Sequence, residues 1–325
     1  MPMAIRIHET GGPEVLRWED VPVPDPGAGE VRLRHTAVGL NFIDVYHRSG
    51  LYPLPLPAGL GQEGAGIVEA VGPGVDFLKP GDRVAYCGAG APGAYCEVRN
   101  APAERMVPLP DDIDEGAAAA MMLKGLTAWY LLRRTRPVEA GDTVLVHAAA
   151  GGVGLILCQW AAHLGATVIG TVGSKAKAEL AAAHGCHHPL VRPDEDFVAR
   201  TRALTGGAGV PVVYDSVGRD TFLGSLDCLR PRGMMVSFGQ SSGSVPPLDV
   251  TVLASKGSLF LTRPSLFAYV ADRADLLAAA AELFDLVQAG VLRIEINQTY
   301  PLREAATAHR DLEGRRTTGS TVLLP

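Results

Sequence analysis

The chain has 325 residues, 47 % of them apolar and 20 % charged. That is enough material for two packed domains and excludes general disorder. Its 38 glycines and 24 prolines follow no period, which excludes collagen-like and other repeat architectures, and the net charge of −6 disfavours a phosphate backbone as the main partner.

The opening residues pass straight into strand-like alternation, without the basic and then apolar run of a secretory signal. Val31 to Val38 alternates apolar and polar side chains and predicts a half-buried strand. Further short strands are expected at 66–71 and 82–86, with turns at Gly72-Pro73-Gly74 and Lys79-Pro80-Gly81. Together they predict a mostly β domain with a rolled or barrel-like sheet. Asp114, Glu115 and the Ala-rich run after them predict a helix continuing through Met121, Leu126 and Leu131.

A regular alternation follows. Strands are expected at 143–147, 167–172, 188–191, 210–215 and 233–238, and helices at 152–164, 174–184, 194–204 and 219–229. Strands alternating with helices mean a doubly wound parallel sheet, an α/β fold. The tail reads as helix 272–290, strand 293–299, helix 302–312 and strand 319–324, expected to complete the first domain and close a cleft between the two. The predicted division is 1–124 with 265–325, and 125–264. The weakly charged stretch from Thr143 to Gly173 is broken by His147, Gln159, His163 and a glycine cluster, so it suits a strand–turn–helix–strand unit better than a membrane span. The five cysteines are scattered and odd in number, which implies no disulfides and a reducing cytoplasm.

The sharpest local signal runs from Val144 to Gly154. Against G-x-G-x-x-G, this chain has Ala149, Gly151 and Gly154. Gly151 lets the backbone approach a diphosphate, Gly154 lets helix and strand pack closely, and Gly152 and Val153 open a helix whose free N–H groups suit an anion. The alternative is a tight turn with no ligand; its place at the head of the alternating array favours dinucleotide binding. An NAD site usually carries an acidic residue about 20 positions on. Here the next strand runs into Gly173 and Ser174, Lys175 and Lys177 follow, and Arg192 ends the strand after that. Without the carboxylate, and with cations to pair a 2′-phosphate, NADPH is the expected cofactor.

Several longer phrases resemble a known family: Asn41 to Asp44, Gly50 to Tyr52, Leu123 to Thr127, His147 to Gly154, Val213 to Gly218, and Thr262 to Pro264. They resemble the medium-chain dehydrogenase/reductase superfamily, in its zinc-free, zeta-crystallin-like NADPH:quinone oxidoreductase branch. The resemblance runs end to end. It implies a Rossmann domain beside a GroES-like catalytic domain, and a homodimer formed through the strand around 256–262. It places Asn41, Tyr46, Arg48 and Tyr52 near a quinone, with Asn41 and Thr127 also toward the cofactor. Ser216, Val217, Phe238, Gly239, Ser241 and Ser242 follow strand ends and flank the cofactor. Arg263 and Arg315 approach it from the sixth strand and the tail. Asp44 is placed to start a helix after Asn41.

Zinc-dependent relatives in that superfamily carry Cys where this chain has Asn41 and His where it has Gln62, so no metal is expected. Cys87 and Cys96 are read as packed residues. His184, Cys186, His187 and His188 have ligand chemistry but lie along a turn and point apart. A quinone needs no Lewis acid, because its ring already accepts electrons; the protein has to hold ring against ring and exclude water, in a cleft between the domains. The residues leave open whether electrons pass as one hydride or singly. The main alternative is an NADPH-dependent enone or alkenal double-bond reductase, with Tyr46 or Tyr52 as proton donor. A nucleic-acid-binding role without turnover, on patches such as Arg133, Arg134 and Arg136 or Arg315 and Arg316, is opposed by the acidic charge.

Overall fold

The computed structural model describes residues 1–192 and 194–325. It divides into two units. One comprises Met1–Leu126, Val270–Ala289 and Ile294–Pro325, the other Thr127–Tyr269 and Gly290–Arg293. The division falls inside the helix Glu115–Tyr130, whose start at Glu115 matches the Ala-rich reading.

In the first unit the alternating segment becomes the long strand Glu30–Leu40. One side of it pairs antiparallel with Glu63–Val71. Its other side is shared: Val98–Pro102 covers the first half, and Ser320–Leu324 pairs with Val38, Gly39 and Leu40. Two partners on one edge, with register shifts at Arg32/Leu33 and His35/Ala37, roll the sheet. Arg83–Cys87 and Val107–Pro108 extend it one way, and Ile296–Pro301 extends it the other, parallel to Ser320–Leu324. A small antiparallel sheet joins Arg17–Asp20, Met3–Ile7 and Ala58–Gly59. The core between them is Ile5, Leu33, Val38, Leu60, Val84 and Tyr95, closed by Leu302 and Leu323 from the tail. The expected tail helix 302–312 is a 3-10 turn, Leu302–Glu304, followed by the helix Ala305–Glu313.

The second unit is a six-stranded sheet, parallel throughout. Its order is His188–Val191, Thr167–Val172, Thr143–His147, Val210–Asp215, Leu229–Ser237, Phe260–Thr262. Numbered along the chain this is 3-2-1-4-5-6, the dinucleotide-binding order. Val210–Asp215 is buried at every position, as a central strand covered on both faces requires. The helices Gly152–His163, Lys175–Ala183, Phe197–Leu204 and Phe222–Cys228 connect the strands.

Differences from the sequence reading have local causes. The helix expected at 194–204 starts at Phe197, because Asp196 caps the N–H groups of Val198 and Ala199. Of the segment 256–262 only Phe260–Thr262 is strand, since Gly257 and Ser258 turn through positive φ after the short helix Thr251–Ser255. Among the described residues no helix is long and apolar enough to cross a membrane.

Candidate active site

Six segments singled out in the sequence follow the carboxyl ends of the six parallel strands. The turn 148–151 follows Thr143–His147, Gly173 follows Thr167–Val172, and Arg192 follows His188–Val191. Ser216 follows Val210–Asp215, Phe238 follows Leu229–Ser237, and Arg263 follows Phe260–Thr262. In a doubly wound sheet this edge is where ligands bind.

The first turn is built for close approach. Ala148 has φ +54°, and its carbonyl accepts the Gly151 N–H at 2.9 Å. Gly151 is the N-cap of the helix Gly152–His163, which leaves the first N–H groups of that helix available to an anion. A Cβ on Gly154 would stand 2.2 Å from the Ala148 carbonyl, so only glycine fits there. At the second strand end, Gly173 and Ser174 are exposed, and Ser174 Oγ caps the next helix through Lys177 N at 3.3 Å. No carboxylate stands at this position. Arg192 lies over the Phe197 ring, 5.5 Å from its centroid.

The fourth and fifth strand ends are stitched together. The buried Asp215 carboxylate accepts the N–H of Val217 at 2.8 Å and of Gly218 at 3.0 Å, and the Thr221 hydroxyl at 2.8 Å. Ser216 O accepts Ser241 N at 3.1 Å, and Val217 O accepts Ser242 Oγ at 2.8 Å. Arg263 Nη1 donates to Ser237 O at 2.9 Å and Gly239 O at 3.0 Å. Behind them, His147 spans Thr171 Oγ1 at 2.8 Å and Ser225 Oγ at 2.9 Å, and burial lowers its pKa. The sequence reading had no role for Asp215; its place at a strand end just before the Ser216–Gly218 loop is the signal it carried. Thr127 is buried at the start of this unit, and Arg315 lies in the other unit, exposed, with φ +58°.

In the first unit the structure brings Tyr46 and Tyr52 together, and sets Asn41 against Asp44 and Glu63. Asn41 is the N-cap of the helix Phe42–Arg48, and its backbone N–H donates to Asp44 Oδ2 at 2.9 Å. Tyr46 and Tyr52 meet edge to face at 5.1 Å, and Tyr52 N donates to Tyr46 O at 3.0 Å. The Asn41 amide is oriented by Glu63, which only accepts: Asn41 Nδ2 lies 2.8 Å from Glu63 Oε1. Glu63 also takes Lys124 Nζ at 2.5 Å and Leu123 N at 2.6 Å. Gln62 Nε2 lies 3.3 Å from His47 Nε2.

Arg48 departs from its expected place facing a quinone. It is 2 % exposed, and its guanidinium is engaged by Gly11 O, His309 Nδ1 and the Glu313 carboxylate. Asp44, Glu63 and Lys124 are buried participants the sequence reading did not assign to the site. Asp44 carried one signal, its capping-box spacing from Asn41. Among the described residues no three His, Cys, Asp or Glu side chains are grouped to hold a metal ion. His187 Nδ1 accepts Val168 N and His184 Nδ1 meets Leu180 O, so the histidines of that turn serve separate local bonds.

Two family models match the chain: alcohol dehydrogenase GroES-like domain over residues 27–111, and zinc-binding dehydrogenase over residues 152–281. A quinone oxidoreductase of Pseudomonas aeruginosa is 55 % identical over 326 residues, covering 100 % of both chains. A 2-haloacrylate reductase of Burkholderia sp is 51 % identical over 333 residues, covering 100 % of this chain and 99 % of the other. The crystal structure of Escherichia coli quinone oxidoreductase complexed with NADPH is similar with a TM-score of 0.98 and 50 % identity, covering 99 % of this chain and 100 % of that one.

Proposed function

The chain belongs to the medium-chain dehydrogenase/reductase superfamily, in its quinone oxidoreductase branch, and on that footing we propose which of its residues receive cofactor and substrate. It is an oxidoreductase that reduces quinones with NADPH. The full-length match to a quinone oxidoreductase solved with NADPH carries that conclusion.

The second unit fits the cofactor. The glycine turn before the helix Gly152–His163 leaves backbone room and N–H donors for a diphosphate. At the second strand end a 2′-phosphate would meet the Ser174 hydroxyl and the Lys177 ammonium instead of a repelling carboxylate, with Arg192 beyond the third. The stitched loops at Ser216, Val217, Phe238, Gly239 and Ser241 would hold the nicotinamide half, with Thr127 and Arg263 beside it. Bound NADPH supplies the hydride.

For the quinone, Asn41, Tyr46 and Tyr52 are the proposed residues. Glu63 holds the nitrogen end of the Asn41 amide, so its carbonyl end can accept only from a donor, which the hydroquinone product has in its O–H groups and the quinone lacks. The tyrosines offer flat faces and hydroxyl donors to a quinone ring and its oxygens. Arg48 acts behind them, through the helix it anchors. The reaction runs without metal in this reading: neither Asn41 nor Gln62 is an anionic or imidazole ligand, and both are hydrogen-bonded elsewhere. The protein is proposed to be cytoplasmic, on its five free, buried cysteines. It is proposed to be a homodimer through the edge strand Phe260–Thr262, where Phe260 is 57 % exposed. Light scattering on the eluting protein should give twice the chain mass; a monomer would refute the dimer.

A second reading, reduction of an activated C=C bond, is favoured by the full-length likeness to 2-haloacrylate reductase. One assay separates the two. Metal-free protein is given NADPH with 1,4-benzoquinone, with an unsaturated ketone, and, in reverse, NADP⁺ with a primary alcohol. Quinone turnover indifferent to chelator, and preferring NADPH over NADH by about tenfold or more, is expected. Preference for the enone would move the function to double-bond reduction. Chelator-sensitive alcohol oxidation would overturn the metal-free reading.

A further inference from the structure

The helix Phe42–Arg48 is fastened at both ends by one buried line of hydrogen bonds, and chemistry fixes the direction of that line. Arg48 can only donate. Its Nη1 lies 3.0 Å from His309 Nδ1, so that nitrogen accepts and the ring proton sits on Nε2. Burial, aided by the Arg48 charge, lowers His309 to about 3, which keeps the ring neutral. His309 Nε2, 3.2 Å from Tyr95 Oη, therefore donates to it, and the Tyr95 hydroxyl donates onward to Asp44 Oδ2 at 3.0 Å. The same carboxylate oxygen accepts the Asn41 N–H. At the far end Glu313 grips Arg48 with both oxygens at 2.8 Å.

Asp44, Tyr95 and His309 are fully buried. Apolar side chains would hold a short helix there at lower desolvation cost; what a directed polar line adds is orientation. We propose that Tyr95 and His309 are positioning residues for the quinone site: acting through Asp44, they hold Asn41 and Tyr46 in the geometry the substrate meets. The inference rests on the assignment of Asn41 and Tyr46 made above.

The line works when Asp44 is ionised, since a carboxylate accepts both N–H and O–H strongly. Asp44 is raised to about 7, and burial is the largest cause. Within that balance Glu63, on the strand Glu63–Val71, also raises it, and the Asn41 N–H, the Tyr95 hydroxyl and Lys124, on the helix Glu115–Tyr130, lower it. His309 is neutral, and Arg48, on the helix of Asp44 itself, is paired with Glu313. Among the described residues nothing hydrogen-bonds Asp44 Oδ1, so it is the oxygen that takes the proton, and protonation weakens the hold on Asn41.

The test uses the full chain with NADPH and 1,4-benzoquinone across pH, plus the dissociation constant for NADPH by fluorescence titration. Tyr95→Phe should lower kcat/KM for the quinone about tenfold and move its acid limb to higher pH, because a donor to the ionised carboxylate is gone. Affinity for NADPH should stay within about twofold of wild type. His309→Gln, able to accept from Arg48 and donate to Tyr95, should stay within about threefold of wild type, while His309→Leu falls like Tyr95→Phe. Unchanged kcat/KM and an unmoved limb in Tyr95→Phe and His309→Leu, with wild type active, would overturn the positioning role. So would loss of NADPH binding in step with turnover, which marks general unfolding. A wild type unable to reduce quinone would refute the assignment of the site, and this inference with it.

Discussion

The Glu63 carboxylate is fully buried, yet three donors from separate places reach it: the Asn41 amide, the Lys124 ammonium and the Leu123 N–H. Lys124 supplies the only countercharge among them. Lys124→Met, which keeps the volume, should therefore destabilise the protein by about 3–5 kcal/mol. Urea unfolding measures this, and a change under about 1 kcal/mol would mean that the amide and backbone donors suffice without the ammonium. The sequence made the helix after Asn41 and the nearness of Tyr46 to Tyr52 legible, because a helix and the turn after it keep neighbours in sequence close in space. Glu63, Lys124, Tyr95 and His309 were not legible as partners of that segment. Their contacts depend on how the sheet rolls, and no spacing along the chain encodes that. Arg48 was misread for the same reason: its partners His309 and Glu313 come from the far tail.

Whole elements were easier to read than their ends. The alternation of strand and helix periods predicts the parallel strands at 143–147, 167–172, 188–191 and 210–215, and the structure has each of them. Very short strands such as Ala58–Gly59 and Val107–Pro108 carry too few residues for a period, and the turn at Gly257 and Ser258 depends on φ. The glycine turn after Thr143–His147 separates two jobs that the motif fuses. A Cβ at Gly154 would strike backbone at 2.2 Å, whereas one at Gly151 would sit 3.3 Å from the Ala148 carbonyl. Gly154→Ala should cost about 1–3 kcal/mol or more of stability. Gly151→Ala should leave the melting temperature within a few degrees of wild type but weaken NADPH about tenfold, because the methyl group occupies diphosphate space. Thermal melts and NADPH titrations on both variants check this; equal losses of stability would refute the separation.

Across the whole molecule, buried titratable groups set how stability follows pH. Burial lowers His35 and His309 to about 3, and lowers His147 and His47 as well. The unfolded chain protonates histidine near 6.5, so their contribution is complete above that pH and is lost as pH falls toward about 3. Asp44 works in the opposite sense: raised to about 7, its contribution is complete below about 4 and is lost as pH rises toward 7. Several histidines outweigh one carboxyl, so the urea midpoint should fall between pH 6.5 and 4, and less steeply in His309→Gln. An unaltered slope in that variant would mean that His309 takes up its proton in the folded state. The divided sheet has a further consequence, in the order of synthesis. Every strand of the parallel sheet lies between Thr143 and Thr262, so that sheet can form before the last strand of the chain is translated. The strand Ser320–Leu324, which seats itself between Ile296–Pro301 and Glu30–Leu40, is translated later, as are His309 and Glu313. The helix that starts just after Asn41 is thus among the first to be made and among the last to be locked.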